Sequence, residues 1–175
     1  MSSTETTGTT ALVGERADIL ETLTKHRHFL RFTARGLSDE QAAQRSTVSE
    51  LCIGGLIKHV TATEEAWVEF ILNGPAAMAP SGDDWEQHAL TFRMLPGETL
   101  AVLLDRYAQV ARRTDELVAT VDLDAAHPLP EAPWFEPGAR WSARRTLLHV
   151  VAETAQHAGH ADILREAIDG AKSMG

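Results

Sequence analysis

The sequence predicts an all-α protein, a four-helix bundle. Four long segments repeat their apolar residues at three- and four-residue steps, the pattern of a helix that buries one face. No segment alternates apolar and polar residues as a half-buried strand does, and no motif recurs at a fixed period. Two long joints, residues 74–95 and 123–141, argue against a simple succession of helical hairpins.

The first predicted helix runs from about Leu12 to Gly36, where the glycine is a plausible helix end. A short helix follows, from Ser38 through Arg45. Ser38 and Gln41 stand three residues apart, as the two members of a capping box do.

The second long helix begins between Ser49 and Gly55 and ends at residues 73–75, whose Asn-Gly-Pro sequence terminates helices strongly. Residues 74–95 are rich in Gly, Pro, Ser and Asp. We expect one helical turn within them, at about residues 85–90, and a connection of this length usually covers or crosses another element.

The third helix is predicted to begin at residues 96–98 and to fade near Val121. Residues 123–141 contain four prolines, at 128, 130, 133 and 137, and therefore cannot form a regular helix. Their aromatic residues are too apolar for a free linker, so we expect them to pack across the end of the domain. These are Trp134, Phe135 and Trp141.

The fourth helix opens at Ser142, a favourable N-cap, and runs to Ile168, with Gly170 as its C-terminal cap. The length of 175 residues suits one domain, which we place at residues 11–171. Residues 1–10 are polar and are predicted to form a disordered tail.

Composition excludes several classes of function. A net charge of −9 without a basic stripe disfavours nucleic acid and anionic membrane surfaces as partners. The apolar stretches are far shorter than the ~20 residues of a membrane span. The single cysteine, Cys52, cannot form an internal disulfide, so we expect a cytoplasmic protein.

Histidines cluster on the fourth helix. At about 100° per residue, His149, Glu153, His157 and His160 share a face less than a quarter-turn wide, which borders the core-facing residues. The pairs His149–Glu153 and Glu153–His157 have the i,i+4 spacing that lets two side chains converge on one cation.

A third ligand comes from the second long helix. His59 lies at the edge of that helix's apolar stripe, so His59, Glu153 and His157 form a candidate His₂Glu metal site. The alternative is that these side chains are solvated or hydrogen-bonded without a metal. His149 and His160 are either hydrogen-bond partners of the ligands or surface residues.

Two stretches carry a resemblance to a known family. Residues 55–60 (GLIKHV) and 64–67 (EEAW) resemble the second-helix motif of the DinB-like superfamily, and residues 147–166 (LLHVVAETAQHAGHADILRE) resemble its fourth-helix motif. Residues 36–42 and 168–170 are similar to its actinobacterial branch. That branch includes the mycothiol S-transferases and the mycothiol-dependent maleylpyruvate isomerases.

The resemblance implies an up-down-down-up bundle, often a homodimer, that holds zinc or nickel through His59, Glu153 and His157. Many superfamily members have histidine where this chain has Glu153, and the glutamate form favours zinc. By the same resemblance, His149 and His160 are not ligands.

This family likeness leads to three functional hypotheses. The first is a metal-dependent S-transferase or isomerase, whose metal deprotonates mycothiol or a similar small thiol so that its sulfur attacks an electrophile. The second is a non-catalytic metal- or ligand-binding bundle of the stress-response type. The third is a structural bundle with incidental histidines.

Other residues are open to two readings. Cys52 precedes His59 by seven residues, about 10 Å along a helix, so it is a poor nucleophile candidate and is expected to be buried or inert. Trp67 and Trp141 either line a substrate pocket or belong to the core.

The remaining basic and histidine residues receive no firm role. Arg140, Arg144 and Arg145 either bind a substrate carboxylate or form a solvated face. The four other histidines lack a second ligand three or four residues away and are assigned no function. These are His26, His28, His88 and His127.

Overall fold

The computed structural model describes residues 12–78 and 84–173, with the side chains of residues 84–87 excluded, and the predicted 1–10 tail lies outside this range. The elements in chain order are α1 (Glu15–Thr33), α2 (Asp39–Ala43), α3 (Ile53–Asn73), a 3₁₀ turn (Gly74–Met78), α4 (Asp84–Thr91), α5 (Leu100–Thr120), β1 (Ala126–Pro128), β2 (Arg140–Ser142) and α6 (Ala143–Asp169). The fold is all-α apart from the two short strands, as predicted.

Two core clusters define the direction of the four long helices. One cluster joins the end of α1, the beginnings of α3 and α5, and the end of α6. The other joins the beginning of α1, the ends of α3 and α5, and the beginning of α6. Helices α1 and α6 therefore run one way and α3 and α5 the other, which confirms the up-down-down-up order.

Side-chain caps set most helix ends near their predicted positions. Ser38 and Gln41 form the expected capping box, the Ser142 hydroxyl accepts a hydrogen bond from the Arg145 amide at 3.1 Å, and Gly170 ends α6 with φ 77°. Helix α5 begins later than predicted, after Thr99, because the Pro96–Gly97 sequence forms a turn in which Gly97 has φ 90°.

The small hairpin was not predicted. Strands β1 and β2 pair antiparallel with His127 opposite Trp141, and three residues per strand are too few to display an alternating pattern. Phe135 and Trp141 pack on the second core cluster, as expected. Trp134 is 63% exposed, so its predicted packing is wrong, because it lies outside the hairpin's contact with the core.

A buried ionic network links α1, α3 and α5. Arg27, which is 5% exposed, pairs with the fully buried Glu64 at 2.5 Å and with Asp115 at 2.7 Å, and the Thr114 hydroxyl donates to Glu64 at 2.5 Å. Burial opposes the charged form of Arg27, but the two carboxylates outweigh it and raise its pKa. The pairing matters because an unpartnered buried charge is strongly destabilising. The pairing fixes α3 at Glu64, five residues after His59.

The connection after α4 lies directly on the first turn of α3. A Cβ added to Gly55 would lie 2.0 Å from the Phe92 carbonyl oxygen, so only glycine permits this approach. At the same turn, the buried Cys52 thiol accepts a hydrogen bond from the Gly55 amide at 3.3 Å. The long joint thus covers α3, as its length suggested.

Membrane insertion finds no support in the described residues. None of the helices they form is both long enough and apolar enough to span a bilayer.

Candidate metal centre

Three side chains from two antiparallel helices converge at one point. His59 on α3 and Glu153 and His157 on α6 each offer a ligand atom, and these atoms lie within 4.8 Å of one another. His59 is 5% and His157 9% exposed, and the Glu153 side chain is 27% exposed. The structure therefore brings together all three residues of the predicted set.

The distances fit a shared centre. The His157 Nε2 atom lies 3.6 Å from Glu153 Oε2, and the rings of His59 and His157 stand edge to face with centroids 4.8 Å apart. The i,i+4 spacing on α6 produces the first contact. The antiparallel packing of α3 against α6 produces the second.

His149 and His160 contact Glu153 and His157, respectively. His149 Nε2 lies 3.7 Å from Glu153 Oε1, and His160 Nδ1 lies 3.4 Å from His157 Nδ1. Each approaches a polar atom other than the two that form the contact between Glu153 and His157. Of the two sequence interpretations, partners of the ligands or incidental surface groups, the geometry favours the first.

The protonation states suit a cation. Burial, together with repulsion from His157 and His88, lowers the pKa of His59 to about 4, so its imidazole is neutral at pH 7. The contact with His157 lowers the pKa of Glu153, which is therefore a carboxylate. Burial also lowers the pKa of His149. Neutral imidazole and carboxylate are the forms that bind metals.

Helix α4 and the residues after it form one wall around His59, which the sequence analysis missed. The Phe92 ring stacks on His59 with centroids 3.8 Å apart, the His88 ring meets it edge to face at 5.4 Å, and the Thr91 hydroxyl lies 3.1 Å from His59 Nδ1. His88 was assigned no role because it has no ligand partner on its own helix. Only tertiary packing places it here.

A cavity of about 580 Å³ opens beside the three candidate ligands. His59, Glu153 and His157 form part of its lining, and His149 and Trp67 extend the wall along α6 and α3. The volume lies in the range of small-molecule sites.

The two tryptophans divide between the pocket and the core. Trp67 is 6% exposed, belongs to the second core cluster and also lines the cavity. Trp141 stacks on Trp67 at 5.0 Å and is not among the cavity's lining residues. Both sequence interpretations therefore hold for Trp67.

The basic cluster near α6 is occupied by structural contacts. Arg144 pairs with Glu15 and Asp124, Arg140 donates to the Ala126 carbonyl at 2.5 Å, and Arg145 lies over the Trp141 ring at 4.1 Å. None of the three lines the cavity among the described residues.

The fold and centre together define a class. The chain is an up-down-down-up helical bundle in which two imidazoles and one carboxylate could hold a divalent ion beside a small-molecule cavity.

Comparisons with known proteins identify the family. The family model for mycothiol-S-transferase matches residues 18–170, and the chain belongs to that family. A crystal structure of a conserved protein from Enterococcus faecalis has the same fold, with a TM-score of 0.69 and 12% identity over 91% of this chain and 100% of the other. No curated protein matches the sequence.

Proposed function

We propose that this protein is a metal-dependent S-transferase that joins a small thiol of the mycothiol type to an electrophile. One observation carries the proposal, namely the convergence of His59, Glu153 and His157 at the wall of a cavity of about 580 Å³. Membership of the mycothiol-S-transferase family supplies the thiol.

The residues present fit a divalent ion. His59, Glu153 and His157 would hold it, and two imidazoles with one carboxylate form a set that catalytic zinc uses while keeping a position open. Zinc is our proposed metal because it accepts nitrogen and oxygen ligands readily, and nickel is the alternative.

The metal supplies one property, a lowered pKa for a thiol bound to it. The protein does the rest. Glu153 contributes one negative charge and the imidazole of His59 none, so the ligand set leaves part of a divalent charge uncompensated for an anionic sulfur. Phe92 and Trp67 contribute apolar aromatic rings to the cavity lining. The cavity walls keep the electrophile close to the sulfur.

A bromobimane assay tests the proposal. In the reaction, the sulfur of the thiolate forms a bond to the bimane carbon, the carbon–bromine bond breaks, and bromide and the thiol proton are released. We expect zinc-loaded protein to accelerate this reaction with mycothiol above the rate with free zinc. His59→Ala should reduce the rate to that background, whereas His28→Ala, at an exposed position on α1, should leave it unchanged.

Elemental analysis of protein purified without a metal-affinity tag completes the test. About one divalent ion per chain with no acceleration for any thiol would support the non-catalytic binding bundle instead. Metal content equal in wild type and in His59→Ala would reject the centre and leave a structural bundle.

The cytoplasmic location and the homodimer are also proposals. The single cysteine supports a reducing compartment. Size-exclusion chromatography with light scattering measures the oligomeric state directly.

A further inference from the structure

The cavity beside the centre is poor in positive charge. Its described lining residues include one carboxylate, that of Glu153, and no Lys or Arg. A substrate that carries a carboxylate would therefore find no cationic side chain to pair with in this lining, and an unpaired buried charge is costly. A divalent ion held by the Glu153 carboxylate and by an anionic sulfur would have no net charge left to attract that substrate.

Basic residues next to the cavity are engaged elsewhere. Lys58, which precedes His59, pairs with Glu98 at 2.7 Å, and Arg93, which follows Phe92, pairs with Glu50 at 3.1 Å. Arg145 adds to the lowering of the His149 pKa that burial causes, but it is not part of the described lining. Its guanidinium is exposed and lies over the Trp141 ring. Solvent and salt screen an exposed charge strongly.

The rest of the lining suits an apolar body. Ala62 and Ala66 are small residues one turn apart on α3, and Trp67, Met78 and Phe92 add two aromatic rings and a thioether. About 580 Å³ accommodates an aromatic molecule together with part of a thiol.

We propose that the electrophilic substrate is an uncharged or cationic molecule with an apolar, aromatic-sized body, and that this cavity rejects carboxylate electrophiles. The inference rests on the proposed function and adds the substrate class to it.

Three N-aryl maleimides that differ only in charge test the proposal. The aryl groups are phenyl, 4-carboxyphenyl and 4-(trimethylammonio)phenyl. In each reaction the thiol sulfur forms a bond to one alkene carbon, the carbon–carbon π bond breaks, and the other carbon takes the proton that the thiol loses. Each rate with zinc-loaded protein and mycothiol is divided by the rate with zinc and mycothiol alone, which removes the effect of charge on intrinsic reactivity.

We expect the carboxyphenyl compound to be accelerated at least about tenfold less than the phenyl compound. The trimethylammonio compound should be accelerated as much as the phenyl compound or more. Equal or greater acceleration of the carboxylate would overturn the inference while leaving the proposed function standing. Absence of acceleration for all three, and for bromobimane, would instead overturn the proposed function.

A binding measurement on metal-free protein decides the inference independently of activity. N-phenylsuccinimide and its 4-carboxyl derivative are unreactive analogues, and Trp67 fluorescence reports their binding because this ring lines the cavity. A Trp67→Phe variant shows how much of the fluorescence change on binding comes from Trp67. We expect the carboxylate to bind at least about tenfold more weakly, and equal binding would overturn the inference.

A charge-introducing variant provides the matched control. Ala62 is exposed and lines the cavity, so Ala62→Arg adds a cation to the lining and Ala62→Gln adds bulk without charge. The arginine variant should recover most of the lost binding of the carboxylate analogue, and the glutamine variant should not. Equal effects of the two variants would show that charge does not govern the selection.

Discussion

The two ring nitrogens of His59 have different partners. Nδ1 lies 3.1 Å from the Thr91 hydroxyl, and that hydroxyl donates its single hydrogen to the His88 carbonyl at 2.6 Å. Thr91 must therefore accept a hydrogen bond from Nδ1–H. In the neutral ring this places the lone pair on Nε2, which approaches the Thr63 hydroxyl, also in the cavity lining, at 3.4 Å. Thr91 is thus a positioning residue for His59.

Replacing Thr91 by valine should weaken zinc binding about tenfold, because metal-binding imidazoles depend on the partner of their second nitrogen. Competition with a chromogenic chelator measures the dissociation constant. In metal-free protein, ¹⁵N shifts of the His59 ring should report a greater share of the other tautomer.

Thr91→Ser keeps the hydroxyl and should restore most of the affinity, which a purely steric effect of valine would not predict. A valine variant with wild-type affinity and an unchanged tautomer would contradict the positioning role.

Among the elements, the segment after α4 depends on the glycine at the first turn of α3. A Gly55→Ala side chain would meet the Phe92 backbone, which cannot move without displacing the ring that stacks on His59. We expect a loss of about 1–3 kcal/mol in the free energy of unfolding, together with weaker zinc binding. Urea denaturation and the chelator competition measure the two effects.

Gly54→Ala is the matched control. Its added Cβ would meet the Met94 Sδ atom at 2.7 Å, on a flexible side chain, and the Ala42 carbonyl oxygen at 3.3 Å, where a shift of a few tenths of an ångström suffices. The better helix propensity of alanine offsets part of that cost, so we expect a change within about 1 kcal/mol. Equal losses for the two variants would contradict the role of the Phe92 contact.

Arg144 joins three parts of the chain, since it pairs with Glu15 at the start of α1 and with Asp124 before β1. Its hydrogen bonds lower the pKa of both carboxyl groups. A carboxyl whose pKa is lowered by folding stabilises the protein above its unfolded pKa, and this contribution disappears as pH falls through the folded value.

Arg144→Gln should therefore lower the urea midpoint most above about pH 5, and the difference from wild type should shrink below about pH 4. Urea titrations from pH 3 to pH 7 measure it. Arg145→Gln removes the same charge one residue away, where the side chain contacts the Trp141 ring, and should lack this pH dependence. A pH-independent difference for Arg144→Gln would contradict the assignment.

For the whole molecule, zinc bound at the candidate centre would connect α3 to α6, and an unfolded chain does not bring these three residues together. Zinc at 100 times its dissociation constant should therefore stabilise the fold by about 2.7 kcal/mol. For a chain of this size, that corresponds to a rise in Tm of roughly 5–10 °C. Thermal denaturation with zinc and with chelator measures the shift.

His59→Ala should abolish most of the zinc-dependent rise in Tm, and His28→Ala should retain it. A rise of the same size in the His59 variant would place the zinc elsewhere in the protein.

Much of the candidate site was predictable because the placement of its three residues follows helix geometry. Glu153 and His157 share a face of α6 through local spacing, and His59 follows the apolar stripe of α3. His88, Thr91 and Phe92 were not predictable, because they reach His59 only through the path of a connection rich in Gly, Pro and Ser. No local period encodes that path.

The amino-acid sequence by itself determined the four long helices, several of their caps and the faces that carry His59, Glu153 and His157, since these depend on interactions within a few residues of one another. The tertiary structure alone decided that the segment after α4 lies on α3, that Thr91 orients His59, and that the described lining of the cavity contains no Lys or Arg. The first two features arise from the contacts of Phe92 with Gly55 and of Thr91 with His59, which are 37 and 32 positions apart. Packing sets their geometry, and local sequence does not.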